Sequence, residues 1–355
     1  MKKVLGLIII SAVLASPVFA VMPDSFSVNG KAMIEYSKGL AGPLPAIDVK
    51  LVKKTPLLFI DVEMKGNPTA QSQGKKPSGQ AATGLLGAGL ASAKYAIVIG
   101  ICDYPGTSND ICWSDGDSVN MYDALTTLYG YDPANVYLLR DTYPDHPEIT
   151  DGAATYNDIL QAVNTIRDKE VADDEVVFFF SGHGGWLRDE NGNTIDAEPY
   201  DEADGKDEVI IVHDSNEIVG ILDDTLRLWF SDFETTRIAF VFDTCLAGGQ
   251  NDVAANGRVV SMATGENQSA YVYSTGDSTT GELGEGVFSH YFVNEGMLQG
   301  KADKYDHGYR TNPENLGEDV VVEEAFDYAK ANIPPYLKVR QKPVISDGFY
   351  NDLLL

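Results

Sequence analysis

Short, unbroken hydrophobic runs recur along the chain after residue 93, and stretches with helical spacing separate them. Each run covers five to seven residues, a length typical of a buried strand. The predicted strands are KYAIVIG (94–100), NVYLL (135–139), EVVFFFS (175–181), EVIIV (208–212), RIAFVFD (237–243), RVVSM (258–262) and AYVYS (270–274). The predicted helices are 114–128, 156–167, 223–230, 286–296 and 320–332. Because this alternation is typical of a mostly parallel sheet that helices cover on both faces, we predict an α/β domain over residues 94–355.

The first 93 residues follow another pattern. Residues 1–20 join two lysines to the apolar stretch Val4–Leu14 and end on Val-Phe-Ala, which indicates a secretory signal peptide cleaved after Ala20. The apolar stretch is shorter than the ~20 residues that a membrane span needs. Residues 21–93 are predicted to be a pro-segment or linker, with a short hairpin as one interpretation of 47–64. We therefore expect a protein that is secreted, periplasmic or held at the cell surface.

Composition limits the partners of this chain. It has 53 acidic and 26 basic residues, a formal net charge of −27. Nucleic acids and anionic membranes are bound through Lys and Arg, so we expect neither as a partner. With 44% hydrophobic residues the chain can form a sizeable core, and its three cysteines are too few for a disulfide framework. Cys102 and Cys112 could still pair after export.

Two reactive side chains lie just beyond predicted buried strands. His183 follows EVVFFFS within Gly-His-Gly-Gly, and Cys245 follows RIAFVFD within Thr-Cys-Leu-Ala-Gly-Gly. If these strands are parallel neighbours, the two side chains meet at one edge of the sheet. A nearby imidazole activates a thiol and can protonate a leaving amine, which predicts a Cys–His hydrolase with the Gly184 and Cys245 N–H groups as oxyanion donors. The alternative is a buried, unreactive cysteine.

The order of these motifs resembles that of the caspase-like cysteine peptidases, and of the metacaspases in particular. It comprises the strand with SGHGG, an acidic insert, the strand with DTCLAGG and then GEGVFSHYF, while YAIVIGICDYPGTSND is similar to the family's opening strand and loop. The resemblance covers about residues 94–350. It implies a three-layer caspase-like fold in which Cys245 is the nucleophile and His183 the general acid and base of peptide-bond hydrolysis. Metacaspases commonly have Asp-Cys-Cys-His-Ser-Gly where this chain has Asp-Thr-Cys-Leu-Ala-Gly, a departure that keeps the pair and favours another prokaryotic branch.

Charge near the thiol predicts the substrate. Asp243 lies two residues before Cys245, so both side chains project from the same face of the strand end. A carboxylate in this place suits a Lys or Arg just before the scissile bond. The resemblance implies a basic-specific pocket formed by Asp243, Ser181 and Asp117, with Asp115 as a competing match for Asp117. The expected partners are therefore proteins or peptides that contain Lys or Arg.

The segment between the two motifs concentrates acidic residues. Residues 189–208 hold nine carboxylates and one lysine, and Ca²⁺ prefers several oxygen ligands. An EF-hand starting at Asp189 is excluded, because its sixth position is Thr194 rather than Gly. Similar metacaspases bind an activating Ca²⁺ through four aspartates, and the resemblance implies the positions Asp207, Asp223, Asp224 and Asp252, with residues 200–202 as an alternative to Asp207. A solvated acidic loop is the competing interpretation, and no motif for an organic cofactor is present.

These observations together predict a secreted, caspase-like cysteine endopeptidase that cuts after Arg or Lys and is stimulated by Ca²⁺. One alternative is an exported calcium-binding protein whose caspase-like fold no longer cleaves, and another is an acyltransferase in which an amine resolves the thioester. The intact pair of His183 and Cys245 favours an enzyme. A monomer is compatible with the sequence, and self-cleavage is a further hypothesis for Lys53-Lys54, Lys75-Lys76, Lys94 and Arg258.

Overall fold

The computed structural model describes a large part of the chain, including nearly all of the predicted α/β domain. The described residues are 50–53, 93–105, 110–111, 113–141, 149–189, 193–197, 200–214, 217–274, 284–303, 305, 320–349 and 352–355. The predicted signal peptide at 1–20 and the proposed cleavage site Lys75-Lys76 lie outside them. Among the described residues, no helix is both long and apolar enough to cross a membrane.

A six-stranded sheet forms the centre of the domain. Its strands are β2 (Lys94–Gly100), β3 (Val136–Arg140), β4 (Glu175–Ser181), β8 (Ile238–Asp243), β9 (Arg258–Met262) and β12 (Val344–Asp347). They lie in the order β12-β9-β8-β4-β2-β3, and every neighbouring pair is parallel except β12 with β9. The predicted α/β class with a mostly parallel sheet is therefore confirmed.

Helices cover both faces of this sheet. They are α1 (Trp113–Thr127), α2 (Tyr156–Arg167), α3 (Asp223–Trp229), α4 (Val287–Ser289), which continues as a π-helix over His290–Leu298, and α5 (Val322–Asn332). Short 3₁₀ helices span Pro133–Asn135 and Ala247–Val253. One hydrophobic core lies under α2 and α3, and another lies under α1, α4 and α5 on the opposite side of the sheet. The domain therefore has three layers.

The hydrophobic runs produce these layers because alternate residues of a strand point to opposite faces. In β4, Phe178 and Phe180 enter the core under α2 and α3, while Val177 and Phe179 enter the core under α1 and α5. A strand buried on both faces must be apolar at consecutive positions, as EVVFFFS is.

Two small antiparallel sheets flank the central one. The first contains β5 (His183–Trp186), β6 (Glu208–Asp214) and β7 (Glu217–Leu222), so EVIIV is a strand as predicted but does not belong to the parallel sheet. The second contains β1 (Lys50–Lys53), β10 (Tyr271–Ser274) and β11 (Gly284–Gly286). β1 falls in the first run of the predicted hairpin, but its partner among the described residues is β10. The second run of that hairpin lies outside them.

Candidate active site

Cys245 and His183 follow two strands that are neighbours in the central sheet. β4 and β8 run parallel, and Ser181 at the end of β4 lies opposite Asp243 at the end of β8. His183 comes two residues after Ser181, and Cys245 comes two residues after Asp243. Both reactive residues therefore lie at the same carboxyl edge of the sheet, where ligands of α/β proteins bind.

The backbone segments that carry the two residues touch at Gly184. A Cβ atom at Gly184 would overlap the carbonyl oxygen of Cys245 and lie 2.5 Å from Thr244 Oγ1. Only glycine permits this approach. The contact brings together the two segments whose N–H groups, those of Gly184 and Cys245, are the predicted oxyanion donors.

The Cys245 thiol lies in a tightly defined turn. Cys245 is 1% exposed, and its Sγ accepts a hydrogen bond from the Ala270 N–H group at 3.3 Å. The next residue, Leu246, has φ of 58°, a left-handed conformation that costs energy in a residue with a side chain and recurs at active sites. Its N–H group donates to the Gln268 carbonyl oxygen at 2.8 Å, which holds the turn in place.

His183 is the first residue of β5 and is 3% exposed. Its backbone N–H group donates to the hydroxyl of Tyr104 at 2.9 Å, and the centroids of the two rings are 4.8 Å apart. Tyr104 belongs to the loop that follows β2. Its place in the sequence gave no sign of this contact, because a tyrosine next to a hydrophobic strand is ordinarily part of the core.

The three predicted pocket residues converge beside the same edge. Asp117 of α1, Ser181 and Asp243 are each fully buried. Ser181 Oγ donates to Asp117 Oδ2 at 2.7 Å, while Ser181 and Asp243 are opposite residues of neighbouring strands. Two carboxylates thus flank one serine at the base of the candidate site.

Asp115, the competing match, has a different partner. Its carboxylate accepts hydrogen bonds from the Nε and Nη2 groups of Arg140, at the end of β3, and the Nε distance is 2.6 Å. Both side chains are buried. Asp115 therefore forms a buried ion pair within the fold, and Asp117 is the residue of this pair that lies against Ser181.

Gly286 and Ser289 complete the pocket and were not singled out from the sequence. The Gly286 N–H group lies 2.9 and 3.1 Å from the two oxygens of Asp117, and a Cβ atom at Gly286 would overlap the Asp243 carboxylate. Ser289 donates to Asp243 Oδ2 from its N–H group at 3.0 Å and from its hydroxyl at 2.8 Å. Both belong to the GEGVFSHYF motif, which was noted only for its resemblance.

The predicted calcium ligands lie in two adjoining groups rather than in one. Asp207 and Asp223 group with Glu202, and Asp224 and Asp252 group with Asp201, and in each group three carboxylate oxygens lie within 4.8 Å of one another. Residues 201 and 202 of the alternative therefore add to the predicted set rather than replacing Asp207. The groups join the acidic insert to the start of α3 and to the 3₁₀ helix that follows Cys245.

The first group contains carboxylate oxygens that are buried without a donor. Oδ1 of Asp207 and Oδ2 of Asp223 accept no hydrogen bond from any residue within the described ranges. Burial raises the pKa of Asp207 to about 6 and the pKa of Asp223 well above its ordinary value. Burial and the nearby Asp252 and Asp207 raise the pKa of Glu202 to about 7. A cation bound among these oxygens would favour their ionised forms.

The second group already contacts a cation of the chain itself. Arg227, one turn after Asp224 on α3, donates to Asp224 Oδ1 from Nε at 3.1 Å and also from Nη2. The same guanidinium lies 3.5 Å from Asp201 and 3.4 Å from Asp252. Arg227 was not predicted as part of this group, because a lone arginine in an amphipathic helix is typical of a solvated face.

Comparison with known proteins agrees with this architecture. Residues 94–254 match the family described as metacaspase, peptidase C14 domain. The chain is 31% identical over 235 residues to metacaspase-1 of Candida albicans, covering 62% of this chain and 50% of that protein. It is 28% identical over 225 residues to metacaspase-1 of Kluyveromyces lactis, covering 60% of this chain and 48% of that one. The chain thus spans about half the length of these curated relatives.

The crystal structure of protein GSU0716 from Geobacter sulfurreducens superposes with a TM-score of 0.46 at 17% identity, covering 72% of this chain and 92% of that one.

The parallel sheet, the strand-end Cys and His and the shared pocket edge define a caspase-like domain. Within that class, residues 94–254 match the metacaspase peptidase C14 domain, and the chain is similar over 235 residues to metacaspase-1 of Candida albicans.

Proposed function

We propose that this chain is a cysteine endopeptidase that hydrolyses peptide bonds after Arg or Lys. The observation that carries the proposal is the β4–β8 register, which sets Cys245, His183 and the buried carboxylate of Asp243 at one edge of the sheet. The Cys245 thiolate attacks the scissile carbonyl carbon while the Gly184 and Cys245 N–H groups stabilise the oxyanion. The His183 imidazolium protonates the leaving amine, and the neutral imidazole then takes a proton from the water that hydrolyses the thioester.

Specificity for a basic residue follows from the two buried carboxylates of the pocket. Asp117 and Asp243 are fully buried beside the carboxyl edge of the sheet, and each lies so close to Gly286 that an added Cβ atom would overlap it. A guanidinium or ammonium group entering there would form charge-assisted hydrogen bonds in a dry environment, while a substrate aspartate would be repelled.

The test is hydrolysis of matched peptides that end in Arg, Lys or Asp before the scissile bond. We expect cleavage after Arg and Lys only, and none by a Cys245→Ala variant. Asp243→Asn should lower kcat/KM for the Arg peptide by about thirtyfold or more, the equivalent of losing at least ~2 kcal/mol from a buried charge pair. Cleavage only after Asp would contradict the specificity, and no cleavage of any peptide would contradict the activity.

Calcium stimulation is the second part of the proposal. Carboxylate oxygens are the ligands that Ca²⁺ prefers, and the buried, donor-free oxygens of Asp207 and Asp223 fit such an ion. Glu202, Asp207 and Asp223 would hold it, with Asp201, Asp224 and Asp252 beside them. The bound ion would supply positive charge that draws the insert, α3 and the 3₁₀ helix after Cys245 together.

Calcium binding is measured directly by calorimetry on the Cys245→Ala variant, which cannot cut itself. We expect one or more calcium sites. In Arg227→Gln the competing guanidinium is absent, so the affinity for Ca²⁺ should increase about tenfold, which corresponds to about 1.4 kcal/mol of binding free energy. Arg167→Gln is the matched control. Arg167 lies at the end of α2 rather than on α3, and among the described contacts its one ion pair is with the exposed neighbour Asp168. Absence of binding would remove calcium from the proposal and leave the peptidase activity untouched.

Export is the third part. Residues 1–20 have the pattern of a signal peptide, and Cys102 is disulfide-bonded, as expected for a protein from an oxidising compartment. Cys112 lies outside the described residues. Sequencing the N-terminus of the exported protein should give Val21 as its first residue, and recovery of the intact N-terminus from the cytoplasm alone would contradict export.

A further inference from the structure

Tyr104 connects three elements of the candidate site through one hydroxyl. The hydroxyl accepts the N–H group of His183 at 2.9 Å and donates to the carbonyl oxygen of Ile211 at 2.9 Å. His183 and Ile211 are opposite residues of the antiparallel pair β5–β6. The hydroxyl therefore bridges a backbone donor of β5 and a backbone acceptor of β6 at residues that lie opposite each other.

The surroundings of Tyr104 fix this bridge from several sides. Tyr104 is 1% exposed, its ring lies 4.8 Å from the His183 ring, and a Cβ atom at Gly182 would lie 2.8 Å from its hydroxyl oxygen. Burial raises the pKa of Tyr104 well above its ordinary value, so the hydroxyl stays protonated and remains able to donate. The chain on which it lies is anchored to the sheet by the Ile101 N–H group, which donates to the Ser181 carbonyl oxygen at 3.1 Å.

From this geometry we propose that Tyr104 is a positioning residue for His183. The hydroxyl sets where the backbone of His183 leaves the end of β4, and the ring bounds the imidazole on one side. Without the hydroxyl, this bridge between β5, β6 and the Tyr104 loop is lost, and the imidazole of His183 can shift from the position that it needs beside Cys245. The proposal rests on the Cys–His function given above.

Two readouts separate a positioning role from a merely structural one. Misplacing a catalytic group by about an ångström costs up to about a hundredfold in rate, so Tyr104→Phe should lower kcat between tenfold and a hundredfold and leave KM within about twofold, since the pocket residues are untouched. The imidazolium also stabilises the Cys245 thiolate. Alkylation of Cys245 by iodoacetamide should therefore slow by about tenfold at pH 6 and change little at pH 9, where the thiol ionises without help.

The controls use residues in the same chain. Tyr129→Phe also removes a buried hydroxyl that donates to a backbone carbonyl, that of Val320, but it does so in the core on the other side of the sheet. It should keep wild-type kcat and alkylation. A methyl group at position 182 would crowd both the Phe180 ring and the Tyr104 hydroxyl, so Gly182→Ala should lower kcat and slow alkylation at pH 6 as Tyr104→Phe does.

Unchanged alkylation at pH 6 in a folded Tyr104→Phe protein would overturn the proposal. Loss of the native near-ultraviolet spectrum in both Tyr104→Phe and Gly182→Ala would also contradict it, since the hydroxyl would then be needed for folding rather than for placing one side chain. Alkylation needs no substrate. A wild-type protein that cleaves no peptide would therefore refute the proposed activity and still leave the effect of Tyr104 on Cys245 measurable.

Discussion

Gly286 contacts the two buried carboxylates of the candidate pocket, and its missing side chain lets both of them lie against the backbone. Replacing it by alanine places a methyl group on the Asp243 carboxylate. We expect Gly286→Ala to lower kcat/KM for Arg and Lys peptides by about a hundredfold, because overpacking and a blocked charge contact act together. Steady-state kinetics with the matched Arg peptide measures the effect.

Gly116 provides the control for this substitution. It precedes Asp117 on α1, and a Cβ atom there would meet only the Gly284 carbonyl oxygen, at an ordinary distance of 3.6 Å. Gly116→Ala should keep full activity and raise the free energy of unfolding by about 0.5–1 kcal/mol, since glycine inside a helix is destabilising. Equal losses of activity in the two variants would show that the effect of Gly286→Ala is not specific to the pocket.

The residues with reactive side chains were predictable from their places at strand ends, whereas the residues that contact and position them were not. Cys245, His183 and Asp243 follow or end hydrophobic runs that are recognisable without a structure. Gly286 and Tyr104 act through a missing side chain and a hydroxyl bridge. Both depend on contacts between segments distant in the chain, and no local pattern records such contacts.

At the scale of elements, β1 extends the small sheet beside the thiol. It pairs antiparallel with β10, from Lys50 opposite Ser274 to Lys53 opposite Tyr271. The residue before Tyr271 is Ala270, whose N–H group donates to Cys245 Sγ. The N-terminal segment therefore runs along β10 toward Cys245, as an added edge strand in the manner of a bound extended peptide.

This placement favours self-cleavage at Lys53-Lys54 over the other hypothesised sites. We expect purified wild-type protein to yield a fragment that begins at Lys54 or Thr55, measured by N-terminal sequencing and intact mass. The double substitution Lys53→Gln and Lys54→Gln should abolish that fragment while hydrolysis of the Arg peptide continues. Identical fragments from wild type and Cys245→Ala would show that another peptidase makes the cut.

Strands that are buried on both faces were predictable from the sequence, and strands at the margins of the fold were not. Strands buried on both faces, such as β4 and β8, are unbroken apolar runs and were predicted to within a residue of their ends. β5 has the sequence HGGW, and β7, with the sequence EIVGIL, was not recognised as a strand. Such strands form because β6 offers an edge to pair with, so their existence depends on tertiary structure rather than on local pattern.

At the scale of the whole molecule, one ion pair joins the ends of two sheets. His213 near the end of β6 has its Nε2 atom 2.7 Å from Oδ1 of Asp141, just beyond β3. The other oxygen of Asp141 accepts the N–H groups of Cys102 and Asp103, in the loop that carries Tyr104. The pair therefore links the central sheet, the small sheet of β5 and the loop behind the candidate site.

Stability should depend on pH through this pair. The hydrogen bond with Asp141, and the nearby Asp103 and Asp214, raise the pKa of His213 above its ordinary value near 6.5. A raised pKa in the folded protein stabilises it fully below the unfolded pKa, and this contribution is lost as pH rises through the folded pKa. The difference in unfolding free energy between wild type and His213→Gln should thus shrink as pH rises, by about 1.4 kcal/mol for each unit by which the pKa is raised.

Urea unfolding of both proteins between pH 5.5 and 9 measures this difference. Asp141→Asn should abolish the same pH-dependent part, because the amide carries no charge and its oxygen can still accept the backbone N–H groups. A difference between wild type and His213→Gln that stays constant across the range would mean that the pair contributes no charge interaction.

The β4–β8 register aligns Phe178 with Phe240 in the core and Ser181 with Asp243 at the candidate site. A slip of one residue between these strands would turn every side chain of one strand to the opposite face. It would remove the phenylalanines from their core and separate Cys245 from His183 in the same step. The activity of a refolding sample would then be proportional to the fraction of molecules that have the native register. It would return together with burial of the phenylalanines, without a partly active population.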